Sequence, residues 1–415
     1  IRDLVRSRGL GVVYKGQEQE LPEVDALATI VKVEGMHRIA DTFGPIPYVN
    51  YGSSSLYDAL DLVYNKFFEE LDNAIEVLSN YVNGNVDAKL MSDYDCVYGG
   101  DVEKWVKFAN TLRLRLAIRV SYANPTLAEA QAKKSMENMF GFIESKAERA
   151  ELSHNSLEYH HPLHEIAYNF NSGDCRPGAT IVAYLNGLND SRISSYFTAA
   201  DDGEYHGVRI GITTSNMSNY QGNKISNLNI NRASTPVVWM TAAESFFLRA
   251  EGALRGWDMG GTAKSFYEQG VRMSFEENNA AGVDDYLADH TSTPGAFADN
   301  VGSDNYTFSS RVTPAWDDNA GFEAQLERII TQKWIANYPD GPEGWSEYRR
   351  TGYPEVIPVV RNSSNGTIDT QLQVRRLPYT RDEKINNASG VASGISALGG
   401  QDTGGTKLWW DKKSR

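Results

Sequence analysis

The sequence MTAAESFFLRAEGALRGWDMGGTAKSFYEQGVRMSFEENN, residues 240–279, predicts two helices joined by a short glycine turn. Apolar residues recur at helical spacing on both sides of Gly260 and Gly261, which allow the chain to turn. Small Ala250 and Ala253 lie where two helices must approach closely, and large aromatic residues follow in the second helix. This rhythm of small and large residues is typical of a tetratricopeptide repeat.

Three further helix pairs are predicted on either side of this one, because helical apolar stripes recur in segments 21–79, 102–140 and 322–350. Asp101 is the expected N-cap of the helix that opens the second pair, and Thr126 is the expected cap of its partner. The sequence therefore predicts a mainly α fold, with a scaffold of four tetratricopeptide-like helix pairs.

Long segments without helical periodicity separate the pairs. They are rich in Gly, Asn, Ser, Thr and aromatic residues, and they cover 141–239, 281–320 and 351–415. Loops of this length on a helical scaffold usually carry function or form an interface.

The composition excludes some classes of protein. The chain has 415 residues with 40 basic and 54 acidic side chains, a net charge of −14. Nucleic-acid binding needs a basic footprint, so we expect no nucleic-acid partner. Two cysteines are too few for a disulfide scaffold, and no apolar run approaches the ~20 residues of a membrane span.

Few motifs of known chemistry are present. The sequence has no phosphate loop, dinucleotide fingerprint or nucleophile elbow in its proper context. The histidine-rich EYHHPLHE, residues 158–165, offers ligands for zinc, but Pro162 interrupts any helix that would align them. A polar surface loop is the favoured interpretation, and we expect no cofactor.

A calcium site is a second candidate. Asp93, Asp95 and Asp101 carry the hard oxygen ligands that calcium prefers. The remaining ligands of an EF-hand loop are missing, so helix capping by Asp101 and turn formation by the other two are favoured.

Four passages resemble the SusD/RagB family, in particular its SusD-like branch. They are RIADTFGPIPY (38–48), GGDVEKWVKFANTLRLRLAIRVS (99–121), ESFFLRAEGALRGW (244–257) and QKWIANYPDGPEGWSEYRRTGYP (332–354), and the segment from 375 to 412 is similar to the C-terminal part of the same branch. They occur in the expected order.

This resemblance implies a single SusD-like domain over 1–415 and a non-enzymatic function. It implies a surface-exposed lipoprotein of the outer membrane that binds oligosaccharide and delivers it to a SusC-like TonB-dependent transporter. The signal peptide and the lipidated Cys would precede Ile1. Alternatives remain open: a non-glycan nutrient such as peptide, a mainly structural transporter lid, or, more remotely, a secreted glycosidase, although no carboxylate pair stands out.

The ligand residues of the family do not carry over by motif. Aromatic rings can stack on sugars while amides and charged groups bind the hydroxyls. The family draws its site from the loop inside the first pair and from the segment between the second and third pairs. By position we predict ligand contacts from Tyr48, Tyr51, Tyr159, Tyr168, Asn169, Phe170, Asp174, Arg176, Tyr205 and Tyr220.

The aromatic stretch from 332 to 352 has a different predicted role. Trp334 and Tyr338 are four residues apart, and Trp345 and Tyr348 are three apart, so each pair shares one helical face. We expect these rings to form the core of the fourth helix pair. The two arginines that follow, at 349 and 350, are expected to cap or pair at the end of the short helix.

Overall fold

The computed structural model describes residues 21–85, 87, 89–152, 161–169, 175–212, 214–231, 234–299 and 304–413. Helices dominate these ranges and strands are few, which confirms the predicted mainly α fold. The helices are α1 (Pro22–Phe43), α2 (Leu60–Gly84), α3 (Val102–Arg119), α4 (Pro125–Glu137), α5 (Pro162–His164), α6 (Ala179–Gly187), α7 (Ile193–Tyr196), α8 (Ala242–Leu254), α9 (Ala263–Glu277), α10 (Val283–Leu287), α11 (Phe322–Ala336), α12 (Gly341–Thr351), α13 (Arg381–Asn386) and α14 (Ala388–Leu398).

Short elements connect these helices. The strands are β1 (Ala150–Leu152), β2 (Phe197–Thr198), β3 (Asn227–Leu228) and β4 (Val237–Met240). Strands β1 and β4 pair antiparallel, and so do β2 and β3. Short segments of 3-10 or π helix cover Lys146–Glu148, Glu165–Asn169, Thr214–Asn219 and Gly222–Lys224.

The long helices pack as neighbours along the chain: α1 on α2, α3 on α4, α8 on α9, and α11 on α12. The Asp101 side chain accepts a hydrogen bond from the Lys104 amide at 3.3 Å, so its predicted N-cap role is confirmed. The predicted cap of α4 is wrong. Asn124 accepts from the Leu127 amide, and Pro125 is the first helical residue, where its missing N–H has no cost.

Helix α2 begins at Leu60, four residues later than expected from the apolar stripe at 56–79. Asp58 explains the delay, because its carboxylate accepts hydrogen bonds from the Tyr48 and Val49 amides at 2.9 and 2.7 Å. Asp58 thus ties the loop of the first helix pair to the start of α2.

The aromatic rings of the fourth pair are packed, but largely against other segments. Tyr338 lies with its ring centroid 4.6 Å from that of Tyr196 and 5.1 Å from that of Phe197. Trp334 rests on Gly344 of α12, where a Cβ would lie 2.9 Å from the indole. The rings therefore join α11 and α12 to each other and to the segment between the second and third pairs.

A buried ion network joins all four helix pairs. Arg115 of α3 binds Glu244 of α8, and Lys333 of α11 lies 3.0 Å from Glu343 of α12. From α1, Glu34 lies 3.6 Å from the Arg115 guanidinium. Opposite charges in a dry interior are tolerated only when each is paired.

Arg350 of α12 adds a second link from this network to α8. Its buried guanidinium donates to both carboxylate oxygens of Glu251 at 2.6 and 2.7 Å and to Glu347 at 2.5 Å. Arg349 lies over the Trp345 ring at 3.5 Å and donates to the Asp41 carbonyl. The two arginines do form pairs, but their partners come from distant helices rather than from the helix end alone.

The segment 351–415, predicted to be irregular, contains α13 and α14. The sequence of α14, ASGVASGISAL, is rich in small residues, of which the two glycines and three serines lower its helix propensity. Their size permits close packing: a Cβ on Gly394 would lie 2.7 Å from the Tyr57 ring and from the Tyr379 hydroxyl. Tertiary contact therefore stabilises a helix that the local sequence does not indicate.

Candidate functional site

Two of the predicted ligand residues, Tyr205 and Tyr220, line one cleft of about 230 Å³. We call it the Tyr205 cleft. It lies between α6, the loop around 204–207, the chain near 220–225 and the loop 295–299. Its lining comprises Val182, Ala183, Asn186, Glu204, Tyr205, His206, Gly207, Tyr220, Ile225, Gly295, Ala296, Phe297, Ala298 and Asp299.

A contact between two glycines holds one wall of the cleft. A Cβ on Gly187, at the end of α6, would lie 1.9 Å from the Gly295 nitrogen. The Gly295 amide donates to the Ala183 carbonyl at 3.0 Å. Loop 295–299 can lie against α6 only because neither position carries a side chain.

A second close approach holds the opposite wall. A Cβ on Gly207 would lie 2.8 Å from the Ala179 Cα. Val208 exchanges backbone hydrogen bonds with Pro177 and Ala179, both at 2.9 Å. These contacts fix the chain beside α6, so that Tyr205 and His206 line the cleft.

The two tyrosines have different surroundings. Tyr220 is buried, and its hydroxyl donates to Asp299 at 2.8 Å. Burial and then this hydrogen bond raise the pKa of Tyr220 to about 12, so the phenol stays protonated. Tyr205 is half-buried, and its hydroxyl bonds to no other described residue. Tyr220 therefore forms a rigid part of the cleft wall, whereas the ring and hydroxyl of Tyr205 are available to contact a ligand.

The cleft continues into a shallower depression of about 510 Å³ that shares His206 and Ile225 with it. The His206 imidazole Nε2 lies 2.7 Å from the Asp202 carboxylate. Lys224 and Asn219 line the far side. Amide, imidazole and ammonium groups beside aromatic rings suit a polar, hydroxyl-bearing ligand.

The candidates in the first helix pair lie apart from this cleft. Tyr48 is buried; its hydroxyl donates to Glu70, and its ring packs edge-on against Phe67 at 4.8 Å between centroids. It therefore anchors its loop and has little surface to offer a ligand. Tyr51 is 80% exposed and remains available for contact from outside.

The candidates around 161–176 form a third location. Tyr168 is 38% exposed, stacks on His164 at 4.7 Å and donates its hydroxyl to the Leu228 carbonyl. Asn169 is exposed and donates to Glu165 at 2.5 Å, and Arg176 is half-buried. The remaining candidates, Tyr159, Phe170 and Asp174, lie outside the described residues.

The acidic calcium candidates serve local structure. Both carboxylate oxygens of Asp95 accept hydrogen bonds, from amides of its own turn and from the Trp105 indole at 2.8 Å. Asp101 caps α3, and Asp93 lies on an exposed turn. Across the described parts of the chain, no three His, Cys, Asp or Glu side chains are grouped to hold a metal ion.

The histidine-rich segment is only partly described. His161 is buried and caps α5 by accepting from the Leu163 amide at 3.2 Å. His164 packs on Tyr168, and His160 lies outside the described residues. The polar surface loop expected from the sequence is therefore wrong for the described part of the segment, because His161 is buried and residues 162–169 are helical.

Sequence reasoning missed most of the cleft, since only Tyr205 and Tyr220 of its lining were predicted. Its lining includes Asn186 on α6 and Phe297 and Asp299 from the segment 281–320, which carried no recognised motif. The available signal was the run of small residues around Gly295, which permits a close backbone approach. Nothing in the local pattern says which helix that loop approaches.

Comparison with known proteins places the chain in a family. The family model described as SusD and RagB outer membrane lipoprotein matches residues 5–411. The chain therefore belongs to the SusD-like family, as its motifs predicted. No curated protein matches it significantly.

Solved structures of SusD homologues resemble the whole fold. A chitin-binding homologue from Flavobacterium johnsoniae is 42% identical, with a TM-score of 0.92 over 96% of this chain and 83% of that one. A homologue from Bacteroides uniformis is also 42% identical, with a TM-score of 0.89 over 97% and 84% of the two chains. One from Bacteroides vulgatus is 40% identical, with a TM-score of 0.88 over 94% and 79%.

The family is one of outer-membrane lipoproteins that generally bind rather than catalyse. Among the described residues, none of the helices combines the length and apolar character that would let it cross a bilayer.

Proposed function

We propose that this protein binds oligosaccharide at the cell surface without catalysis and delivers it to a SusC-like TonB-dependent transporter. The observation that carries the proposal is the 42% identity to a chitin-binding homologue over 96% of the chain. That relative makes β-1,4-linked N-acetylglucosamine oligomers the first ligands to test.

The Tyr205 cleft supports this proposal as the ligand site. Tyr205 offers a half-buried ring, and Asn186 and His206 place hydrogen-bonding groups beside it. A sugar ring packs its apolar face on an aromatic plane, while its hydroxyl and acetamido groups bind polar side chains. Asp299 is already engaged by the Tyr220 hydroxyl, which suits binding rather than acid–base catalysis.

Isothermal titration against hexamers of different linkage tests the ligand. We expect chitohexaose to bind, and cellohexaose, which lacks the acetamido groups, to bind at least tenfold more weakly. A panel of maltohexaose, laminarihexaose and peptides should give no larger heat. If no member of the panel binds, the glycan-binding role is wrong and a structural lid becomes the better description.

Delivery requires a partner in the membrane. We expect the full-length, lipid-anchored protein, isolated from its native membrane under mild detergent, to copurify with a large TonB-dependent barrel. Copurification with no barrel would contradict the delivery role even if the glycan binds. A reducing-end assay on chitohexaose should detect no hydrolysis, since release of product would contradict the non-enzymatic role.

A further inference from the structure

A second cavity, of about 290 Å³, lies where α7, β4 and the ends of α9 and α11 meet. We call it the Asn337 cavity. It shares no lining residue with the Tyr205 cleft among the residues that the structure describes. Its volume is at the lower end of the roughly 300–1,000 Å³ of small-molecule sites, which is enough for a ligand of one sugar ring.

Asn337 at the end of α11 is the unusual residue of this cavity. It is only 5% exposed, and within the described ranges neither its amide nitrogen nor its amide oxygen has a hydrogen-bond partner. Buried amides in folded proteins are almost always bonded, so a group left with two unmet bonds requires an explanation. The residue borders the cavity while its amide atoms are closed to water, so a bound molecule supplies these bonds once the side chain turns toward the space.

Two neighbouring side chains share this property. The Tyr338 hydroxyl and the Glu277 Oε2 atom are also buried without a partner in the described part of the chain, and both residues line the same cavity. The other Glu277 oxygen accepts from the Ala242 amide at 2.9 Å, which fixes the carboxyl group in place. Burial also raises the pKa of Glu277 to about 7, so the group can donate as well as accept near neutral pH.

Apart from Glu277, which is largely neutral below pH 7, the charged groups around the cavity are already paired. Glu244 binds Arg115 at 2.7 Å, Asp340 binds Arg38 at 2.8 Å, and Arg149 binds the neighbouring Glu151. A charged ligand would therefore compete with existing ion pairs for its counter-charge. This arrangement favours a neutral ligand.

The apolar part of the lining includes flat and branched side chains. Trp239 is half-buried. The Tyr196 ring is held in place because the Tyr196 hydroxyl donates to the Ile335 carbonyl at 3.0 Å. Amides at 229, 278 and 279 line the same space. Aromatic planes with amide groups around them are the combination that binds the two faces and the edge of a sugar.

We propose that the Asn337 cavity binds a small neutral polyhydroxylated ligand, of the size of one sugar ring, whose hydroxyl or acetamido groups bond to the Asn337 amide. This site is separate from the Tyr205 cleft and does not depend on the oligosaccharide-binding role proposed above. A protein that retains an unbonded buried amide gives up stability in the free state, as functional sites commonly do.

Thermal unfolding with added monosaccharide tests the proposal. N-acetylglucosamine and glucose, each at 50 mM, are the probes. We expect at least one of them to raise the Tm of the wild-type protein by about 1–2 °C, because a ligand that binds only the folded state stabilises it. The rise should persist in Tyr205→Ala, which alters the other cleft, and should be lost in Asn337→Leu.

The free variant provides a second readout. Leu is close to Asn in size and removes only the unbonded amide, so Asn337→Leu without sugar should be at least as stable as the wild type. A residue with a merely structural role would instead lower the Tm on substitution. Loss of stability in free Asn337→Leu would therefore overturn the proposal.

A crystal of the wild-type protein soaked in N-acetylglucosamine or glucose keeps the test independent of any variant. We expect density for the sugar in the cavity, with a hydroxyl or acetamido group within hydrogen-bond distance of Asn337. Ordered water alone in both soaked crystals would overturn the proposal. So would a thermal shift that Tyr205→Ala abolishes and Asn337→Leu retains.

Discussion

Tyr205 and Tyr51 are both accessible tyrosines in segments that the sequence marked as candidate ligand sites, but their surroundings differ. Tyr205 lies in a cleft with polar groups on several sides, whereas Tyr51 is 80% exposed on a loop of the first helix pair. A single ring on an open surface gains little from a ligand, since most of its contact partners are water.

Replacing each of these two tyrosines shows which of the two locations binds the ligand. We expect Tyr205→Ala to weaken chitohexaose binding by about ten- to thirtyfold, because loss of one aromatic stacking contact costs roughly 1.5–2 kcal/mol. Titration calorimetry measures the change. Tyr51→Ala should bind within a factor of two of the wild type, and the reverse order would move the site to the first helix pair.

Glu277 makes stability depend on pH in a known direction. Burial raises its pKa to about 7 in the folded protein, against about 4.3 in the unfolded chain. The folded state therefore binds a proton that the unfolded state releases, and stability falls as pH rises from about 4.3 through 7. Above pH 7 the protein must keep a charged, buried carboxylate.

The variant Glu277→Gln removes this titration and keeps an oxygen for the Ala242 amide. We expect it to exceed the wild type in free energy of unfolding by roughly 2 kcal/mol at pH 8 and to match it near pH 4.5. Urea unfolding at both pH values gives the comparison. Exposed Glu129→Gln should show no such trend, and an equal difference at both pH values would contradict the burial argument.

The contact between α6 and loop 295–299 shows how an element's position depends on a missing side chain. In Gly187→Ala the new Cβ would lie 1.9 Å from the Gly295 nitrogen, so the loop must move. We expect a loss of about 1–3 kcal/mol, as for other overpacked sites, together with weaker chitohexaose binding.

Gly35→Ala is the matched control for this prediction. Gly35 lies on an exposed face of α1, where an added Cβ would have no atom of the described chain within 4 Å. Removing a helical glycine there should stabilise the protein by roughly 0.5–1 kcal/mol and leave binding unchanged. Equal effects of the two substitutions on urea unfolding would show that the glycine contact does not hold the loop.

The long helices could be predicted from the sequence because their apolar stripes repeat every turn, and Asp101 could be identified as a cap from its local pattern. The start of α4 could not be placed as well, because Asn124 and Thr126 are both capping residues and Pro125 decides between them. Local periodicity fixes the type of an element better than its ends.

Only a small part of the candidate cleft could be predicted, for a related reason. Tyr205 and Tyr220 were identified because loop aromatics are conspicuous in a sequence, whereas Phe297 and Asp299 reach the same space through a backbone contact between Gly187 and Gly295. That contact joins residues far apart in the chain, and no local pattern encodes it. Tyr48 met the same criterion as Tyr205 but anchors its loop in the core.

At the scale of the molecule, the buried ion network makes the four helix pairs depend on one another. It contains charged residues from α1, α3, α8, α11 and α12, so every pair contributes at least one member. Each charge is stable in the interior only while its partners stay in place. The network therefore opposes the loss of any single pair from the scaffold.

Arg350→Met tests this dependence, because it leaves Glu251 and Glu347 in the interior without one of their partners. The buried carboxylates then lack compensation, and we expect a loss of about 3 kcal/mol in the free energy of unfolding. Urea unfolding followed by tryptophan fluorescence and by far-ultraviolet circular dichroism should still give coincident transitions, both at lower urea, since the pairs unfold together.

The exposed pair of Arg272 and Asp284 provides the control for Arg350→Met. Their side chains are 49% and 82% exposed, so water can replace the lost partner, and Arg272→Met should change stability by less than ~1 kcal/mol. If Arg350→Met had an equally small effect, the network would be dispensable. If it separated the two optical transitions, one helix pair would unfold without the rest, and the network would not couple the scaffold as its geometry implies.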